Sequence, residues 1–167
     1  MLKWISELNF YQNKESNIHS LRWVQLATIG LDNSPRVRTV VFRGWTDSYE
    51  MKILTDKRSQ KFIELESNNN VEICWLFHES KCQFRFRGTS RVDLGKDTLY
   101  HWEKLDYQSK SMWSWPTPGN KCELNKNNQI LIENNIIHNK NFILLKIISF
   151  TLSNFYLKII FMLEGDG

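Results

Sequence analysis

The chain has 167 residues, 41% of them hydrophobic and 13% aromatic, which is enough to bury about 70% of the unfolded surface in one domain without disulfide staples. A formal net charge of +4 accommodates an anionic ligand but is too small to single out nucleic acid as a partner. Three cysteines, Cys74, Cys82 and Cys122, cannot all pair within one chain, and the mixed, charged start Met1-Leu2-Lys3-Trp4 does not read as a signal peptide, so a reducing cytoplasmic setting is expected.

Residues 2–14 are predicted to form an amphipathic helix, because Trp4, Ile5, Leu8 and Tyr11 or Gln12 fall near helical spacing. A polar loop over 13–20 leads into a strand over 21–30. The turn Asp32-Asn33-Ser34-Pro35 then returns the chain as a second strand, Pro35–Gly44, giving a hairpin. Alternation places Arg36, Arg38, Val40 and Phe42 on one side of that strand, and Val37, Thr39, Val41 and Arg43 on the other. An apolar centre between cationic ends suits a flat aromatic ligand with an anionic tail. It equally describes an ordinary barrel strand whose arginines reach solvent at its two ends.

A third strand is expected over 49–55. A helix over 58–66 follows, with Asp56 as its N-cap and Phe62, Ile63 and Leu65 turned inward; the run Asn68-Asn69-Asn70 ends it. Strands over 71–77 and 82–92 flank the turn His78-Glu79-Ser80-Lys81, with Phe84 and Phe86 on a half-buried barrel face. Residues 95–107 read as helical. Beyond Ser114, Trp115–Gly119 is an extended turn, 120–141 a loop rich in Asn and Lys, and 142–150 and 152–161 two closing strands. The apolar tail does not suit a membrane span: it would carry Lys146 and Lys158, at about 2.5–3.5 kcal/mol for each mid-bilayer charge. Antiparallel hairpins with helices at the start and between imply a mainly β (α+β) small barrel, in one domain over 1–167.

Metal and nucleophile signals are weak. Cys74, His78 and Cys82 share a Cys-x3-His-x3-Cys spacing across strand, turn and strand, with no fourth ligand in view. His19, His101 and His138 stand in no triad-like pattern. Four segments carry more. Gln25-Leu26-Ala27-Thr28-Ile29, then Pro35–Gly44, then Leu54-Thr55-Asp56-Lys57-Arg58-Ser59-Gln60-Lys61, then Gln83-Phe84-Arg85-Phe86-Arg87-Gly88 follow in an order and spacing that resembles the pyridoxamine 5'-phosphate oxidase-like family of FMN-binding split β-barrels. The likeness covers roughly residues 20–120 and, weakly, 142–157, and is nearest to a subfamily whose members often lack an assigned substrate.

The resemblance implies a six-stranded antiparallel split β-barrel, assembled as a homodimer with FMN at the interface. FMN needs cations or helix N-terminal amides for its phosphate, an apolar slot for its ring and donors for the ring's polar edge. By the same resemblance, Arg38, Arg58, Ser59 and Lys61 surround the phosphate, the last three near the free N–H groups of a helix start. Thr39, Val40, Val41 and Phe42 run along the ring, largely through backbone contacts, with Leu54 and Thr55 beside them. Gln83 sits near the ring edge. Arg43, and more weakly Lys110 and Trp113, face the substrate space.

The chain departs from true pyridoxine 5'-phosphate oxidases in two places. Their Arg-Pro…Ser-Gln substrate-phosphate segment is replaced by Ser109-Lys110-Ser111-Met112-Trp113-Ser114-Trp115-Pro116, and their terminal Trp and Arg have no counterpart in Phe161–Gly167. The expected function is therefore an FMN-dependent oxidoreductase acting on an unidentified small molecule, not on pyridoxine or pyridoxamine 5'-phosphate itself. The alternatives are a flavin or haem carrier without catalysis, or an OB-like single-stranded nucleic-acid binder. Against the last, Arg58-Ser59-Gln60-Lys61 opening a helix suits a compact phosphate better than a strand groove. Neither nucleic acid nor membrane is expected as a partner.

Overall fold

Alternating side chains decide the architecture. In the computed structural model, which describes residues 3–114, 116–119 and 140–149, each strand turns every second residue inward, as in β4 (Asn70–Phe77), where Val71, Ile73, Trp75 and Phe77 are buried. The other elements, in chain order, are α1 (Lys3–Lys14), a 3-10 turn (His19–Arg22), β1 (Trp23–Ile29), β2 (Pro35–Trp45), β3 (Met51–Asp56), α2 (Gln60–Ser67), β5 (Cys82–Asp93), α3 (Lys96–Glu103), α4 (Tyr107–Ser111), a second 3-10 turn (Met112–Ser114) and β6 (Phe142–Ser149). The strands close a barrel in the order β1-β2-β3-β6-β5-β4, with all neighbours antiparallel. Closure pairs every strand on both sides and so removes the exposed edges that an open sheet would present.

The core lies inside this barrel, and α1 plugs one end of it. Trp4, Ile5 and Leu8 are buried, with the Trp4 ring edge-on to Trp45 and Phe86, each at 5.8 Å. Phe84 and Phe86 are inward and buried, as the alternation predicted. Val40 and Phe42 are core residues too. The apolar centre read on that side of β2 therefore packs the barrel, and any ligand bed must use the opposite face.

Three local expectations are corrected. Asp56 is not the cap of α2; Ser59 holds that position, and its Oγ donates to the Asp56 carbonyl at 2.6 Å. The Asp56 carboxylate instead accepts from the Arg58 backbone N–H at 2.7 Å and from the Arg58 side chain. Ile63 is 41% exposed, and the buried residue beside it is Glu64. Phe62 and Leu65 fix the inward face, which leaves Ile63 and Glu64 equally far from its centre; it is Glu64 that turns in, to meet Thr28 and Arg38. The helix expected over 95–107 stops at Glu103, and a separate short helix starts at Tyr107, capped by Asp106, whose Oδ1 accepts from Ser109 N–H at 2.6 Å. Trp115, Cys122, nearly all of the predicted loop 120–141, the second closing strand 152–161 and the tail lie outside the described residues. No described helix is long and apolar enough to cross a membrane.

Candidate cofactor site

One end of the site is built where β1, β2 and α2 meet. Arg38 stands opposite Leu26 and points inward at the barrel end. Its guanidinium donates to Glu64 Oε2 at 2.6 Å and, through a short contact, to Thr28 Oγ1. Thr28 Oγ1 donates to the same carboxylate oxygen at 2.6 Å. Glu64 is 1% exposed, and its Oε1 has no hydrogen-bond partner among the described residues. Arg38 keeps 24% of its side chain exposed, so part of its donor fork still faces out.

Lys61 lies on the same helix three residues before Glu64, half-buried, with no ion pair among the described residues. Burial first, and then the neighbouring Arg38, push its ammonium below the usual lysine range, partly opposed by Asp56 and Glu64. Thr55 Oγ1 and Ser59 Oγ are both buried, 3.4 Å apart. Arg58 is held by the Asp56 carboxylate at 2.8 Å and donates to the Trp113 carbonyl at 3.2 Å; its hydrogen bond to Asp56 raises its affinity for its proton. Cations and hydroxyls thus converge near the start of α2, where the first amides of a helix have no partner inside it.

Next to this end runs a low apolar bed on the outer face of β2 and β3. The Phe42–Ile53 pairing turns Val41 and Leu54 outward, both half-exposed, with Thr39 exposed beside them. A β-bulge between Phe42 and Trp45 contains Gly44 at φ +105°, a conformation few side chains tolerate.

A second cationic group closes the far end of the bed. Arg43 projects outward within the bulge, and Lys52 Cε lies 3.8 Å from where a Cβ on Gly44 would be. Neither makes an ion pair among the described residues. His101 from α3 joins them, its Nε2 buried without a partner among the described residues. Burial, then Lys52, and more weakly Arg43 and Lys104, hold its imidazole below the ordinary histidine value against the pull of Asp97. Partial burial and Arg22 likewise lower Arg43.

The remaining predicted residues fall elsewhere. Gln83 is on β5, where its Oε1 accepts from Cys74 Sγ at 3.5 Å. In the ring of strands β5 is three steps from β2 in either direction, about 14 Å at the usual strand spacing, so it stands across the barrel from Arg43 and Val41. One chain does not bring Gln83 to the bed. Lys110 lies 5.8 Å from the Trp102 ring, and Trp113 packs edge-on to Phe142 at 4.8 Å, both at the junction of α3 and β6. Cys74 faces outward on β4 and Cys82 is buried, and among the described residues no three His, Cys, Asp or Glu side chains are grouped to hold a metal. Thr28, Glu64, Lys52 and His101 were not assigned from sequence.

This arrangement fits a flat ring with a terminal phosphate: cations and hydroxyls at one end, Val41 and Leu54 between, and further donors at the other. The sequence model of the family described as "Pyridoxamine 5'-phosphate oxidase, FMN-binding domain" matches residues 1–93. The chain is 36% identical over 123 residues to pyridoxine/pyridoxamine 5'-phosphate oxidase 2 of Arabidopsis thaliana, covering 68% of this chain and 62% of that protein. It is 34% identical over 112 residues to pyridoxine/pyridoxamine 5'-phosphate oxidase of a Psychrobacter species, covering 66% of this chain and 49% of that one. The chain thus spans between about half and two thirds of the length of these curated relatives. Its fold superposes on the crystal structure of a pyridoxamine 5'-phosphate oxidase-related, FMN binding protein from Nostoc punctiforme with a TM-score of 0.79, at 26% identity over 89% of this chain and 82% of that one. A six-stranded antiparallel barrel and a family match over more than half its length together establish that the chain belongs to the pyridoxamine 5'-phosphate oxidase family of FMN-binding domains, with FMN as its cofactor.

Proposed function

We propose that this protein is an FMN-dependent oxidoreductase that acts on a small anionic molecule and works as a homodimer. The observation that carries the reading is the pair of cationic ends on one bed: Arg38 and Lys61 by α2, and Arg43, Lys52 and His101 beyond Leu54. Arg38, Arg58, Ser59, Thr55 and Lys61 bind the phosphate. Thr39, Val40, Val41 and Phe42 offer backbone along the ring, and Leu54 excludes water beneath it. FMN, when bound, supplies the electron acceptor for a hydride. Arg43 orients the substrate end, with Lys52 and His101 beside it, and Lys110 and Trp113 approach from the α3–β6 side. Uncompensated cations around a partly buried imidazole favour an anionic substrate, because an anion relieves their mutual repulsion.

The dimer follows from Gln83. It serves the ring edge of a site only if a second copy presents its β5 to the first copy's β2–β3 bed. Trp23 and Val37, 56% and 71% exposed on the outer face of β1 and β2, supply apolar surface for such a contact. The free thiols of Cys74 and Cys82 agree with a reducing cytoplasmic setting. The test is an FMN titration of flavin-free protein, followed by quenching of flavin fluorescence. Tight, saturable quenching that is lost in Arg38→Ala and Lys61→Ala supports the reading; equal quenching by those variants overturns the assignment of the phosphate end.

A further inference from the structure

We propose that Glu64 is the built-in counter-ion of the flavin phosphate site: it neutralises Arg38 in flavin-free protein, and so sets how strongly the site prefers FMN to riboflavin, which has no phosphate. The inference rests on the reading of Arg38 and Lys61 as the phosphate end. Glu64 is almost completely buried, Oε2 takes both Arg38 and Thr28, and Oε1 has no partner among the described residues. Hydrogen bonding alone does not call for an acid here. A glutamine oxygen would accept the same two bonds, without the cost of taking a charge out of water.

What the carboxylate adds is negative charge beside two half-buried cations, Arg38 and Lys61, on adjacent elements. Asp56, the other acid near Lys61, is already engaged with Arg58. Without Glu64, two like charges would face each other across β2 and α2 until an anion arrived. A phosphate monoester brings a charge of about −1.5 to −2 to the same place. It therefore meets Glu64 as a like charge competing for the same cations. The carboxylate stabilises the protein without flavin and weakens its hold on the phosphate, two effects of one charge.

Glu64→Gln tests this, because it keeps the shape and the acceptor oxygen while removing the charge. Compared with the parent protein, flavin-free Glu64→Gln is expected to melt at lower temperature and to raise the ratio of FMN to riboflavin affinity by about tenfold. Inorganic phosphate, at matched ionic strength, is expected to raise its melting temperature more than that of the parent. Thr28→Val removes a hydrogen bond to the same oxygen and leaves the charge, so its FMN to riboflavin ratio is expected to stay within about twofold of the parent's. The double variant Arg38→Gln/Glu64→Gln is expected to regain the melting temperature lost in Glu64→Gln, which keeps the test available if the single variant folds only with flavin.

An unchanged or lowered ratio in Glu64→Gln, or an equal rise in Thr28→Val, overturns the proposal in favour of geometry over charge. Arg38→Ala in the same assay separates the two levels of inference. Loss of FMN preference in Arg38→Ala with none of the Glu64→Gln effects refutes the counter-ion alone. Intact preference in Arg38→Ala refutes the phosphate reading beneath it.

Discussion

Arg36 and Arg38 differ by one step of the β pleat, and the site depends on which of them is used. Both point to the same side of β2, but Arg36 sits beyond the barrel end, where its side chain is 43% exposed and paired with Asp32 across the turn. Arg38 reaches α2. Arg38→Ala or Lys61→Ala should remove a charge-assisted contact of about 1.5–3 kcal/mol, so FMN affinity should fall by about 10- to 150-fold. Arg36→Ala should change it by less than about threefold, since an exposed pair contributes about 0–1 kcal/mol. Equal damage from Arg36→Ala in a fluorescence titration would place the phosphate at the hairpin turn instead.

Lys61 also gives the site a pH dependence. Burial and Arg38 lower its proton affinity, so it loses its positive charge below the ordinary lysine value of about 10.4. The phosphate gains its second charge near pH 6. The ratio of FMN to riboflavin affinity should therefore rise through about pH 6 and fall again on the alkaline side, earlier than an unperturbed lysine would allow. Lys61→Arg, which keeps its charge at all these values, should move the alkaline fall upward; a limb that does not move would remove Lys61 from the site. At this scale a motif named Arg38, Arg58, Ser59 and Lys61, and the fold gathers them around the start of α2. The sequence was not legible at Glu64, where hydrophobicity favoured Ile63, the helical phase set by Phe62 and Leu65 is even between the two, and only the tertiary partners Thr28 and Arg38 show which is buried.

Elements were read well because their alternation and turn residues are local signals. The hairpin of β1 and β2 forms around Asp32–Pro35, where Gly30 N–H donates to Ser34 O at 2.8 Å and Asp32 accepts from Ser34 N–H at 3.1 Å. What periodicity could not show is how α3 is fastened to the barrel. Lys146 on β6 is buried between Asp93 at 2.9 Å and Asp97 at 2.7 Å, a lysine that the strand pattern alone would have left in solvent. Burial pushes the Asp93 carboxyl up, but Lys146 and Thr98 outweigh it and hold it below the usual carboxylate range. A carboxylate depressed in the folded state adds stability that is present above its unfolded value of about 3.9 and is lost as pH falls through the folded one. Asp93→Asn should therefore lower stability at neutral pH and flatten its loss in acid. The expected cost is about 1–3 kcal/mol, less than the 3–5 kcal/mol of a fully orphaned buried charge, because Asp97 remains beside Lys146. Urea unfolding at pH 7 and again well below about pH 3.9, in acid strong enough to protonate the folded carboxylate, measures both; equal losses at the two pH values would show that the ion pair is not the source.

The whole molecule holds the part that local patterns cannot carry. The order β1-β2-β3-β6-β5-β4 sets β2 and β5 on opposite sides of the barrel, and no sequence window reports that separation. It sets Arg38, Val41, Arg43, Leu54 and Lys61 on one side of the barrel and Gln83 on the other, and the proposed dimer is what would bring them to one site. The substrate belongs to this scale too. In the family resemblance read from the sequence, Ser109–Pro116 replaces the Arg-Pro…Ser-Gln segment that fixes the substrate phosphate in true oxidases, and positioning of that kind accounts for about 7–11 kcal/mol of a barrier. FMN-loaded protein should therefore form pyridoxal 5'-phosphate from pyridoxine or pyridoxamine 5'-phosphate in air at well under about 1 s⁻¹, the low end of ordinary enzymes. A rate at or above that would assign the missing role to Arg43, Lys52 and His101.

The central claim is that two copies of this chain complete each FMN site. Light scattering on an eluting peak, with flavin absorbance read across the same peak during an FMN titration, tests it most directly. A mass of two chains carrying one FMN each is expected, with the two-chain form favoured as FMN is added. A single-chain mass that still binds FMN tightly would contradict it.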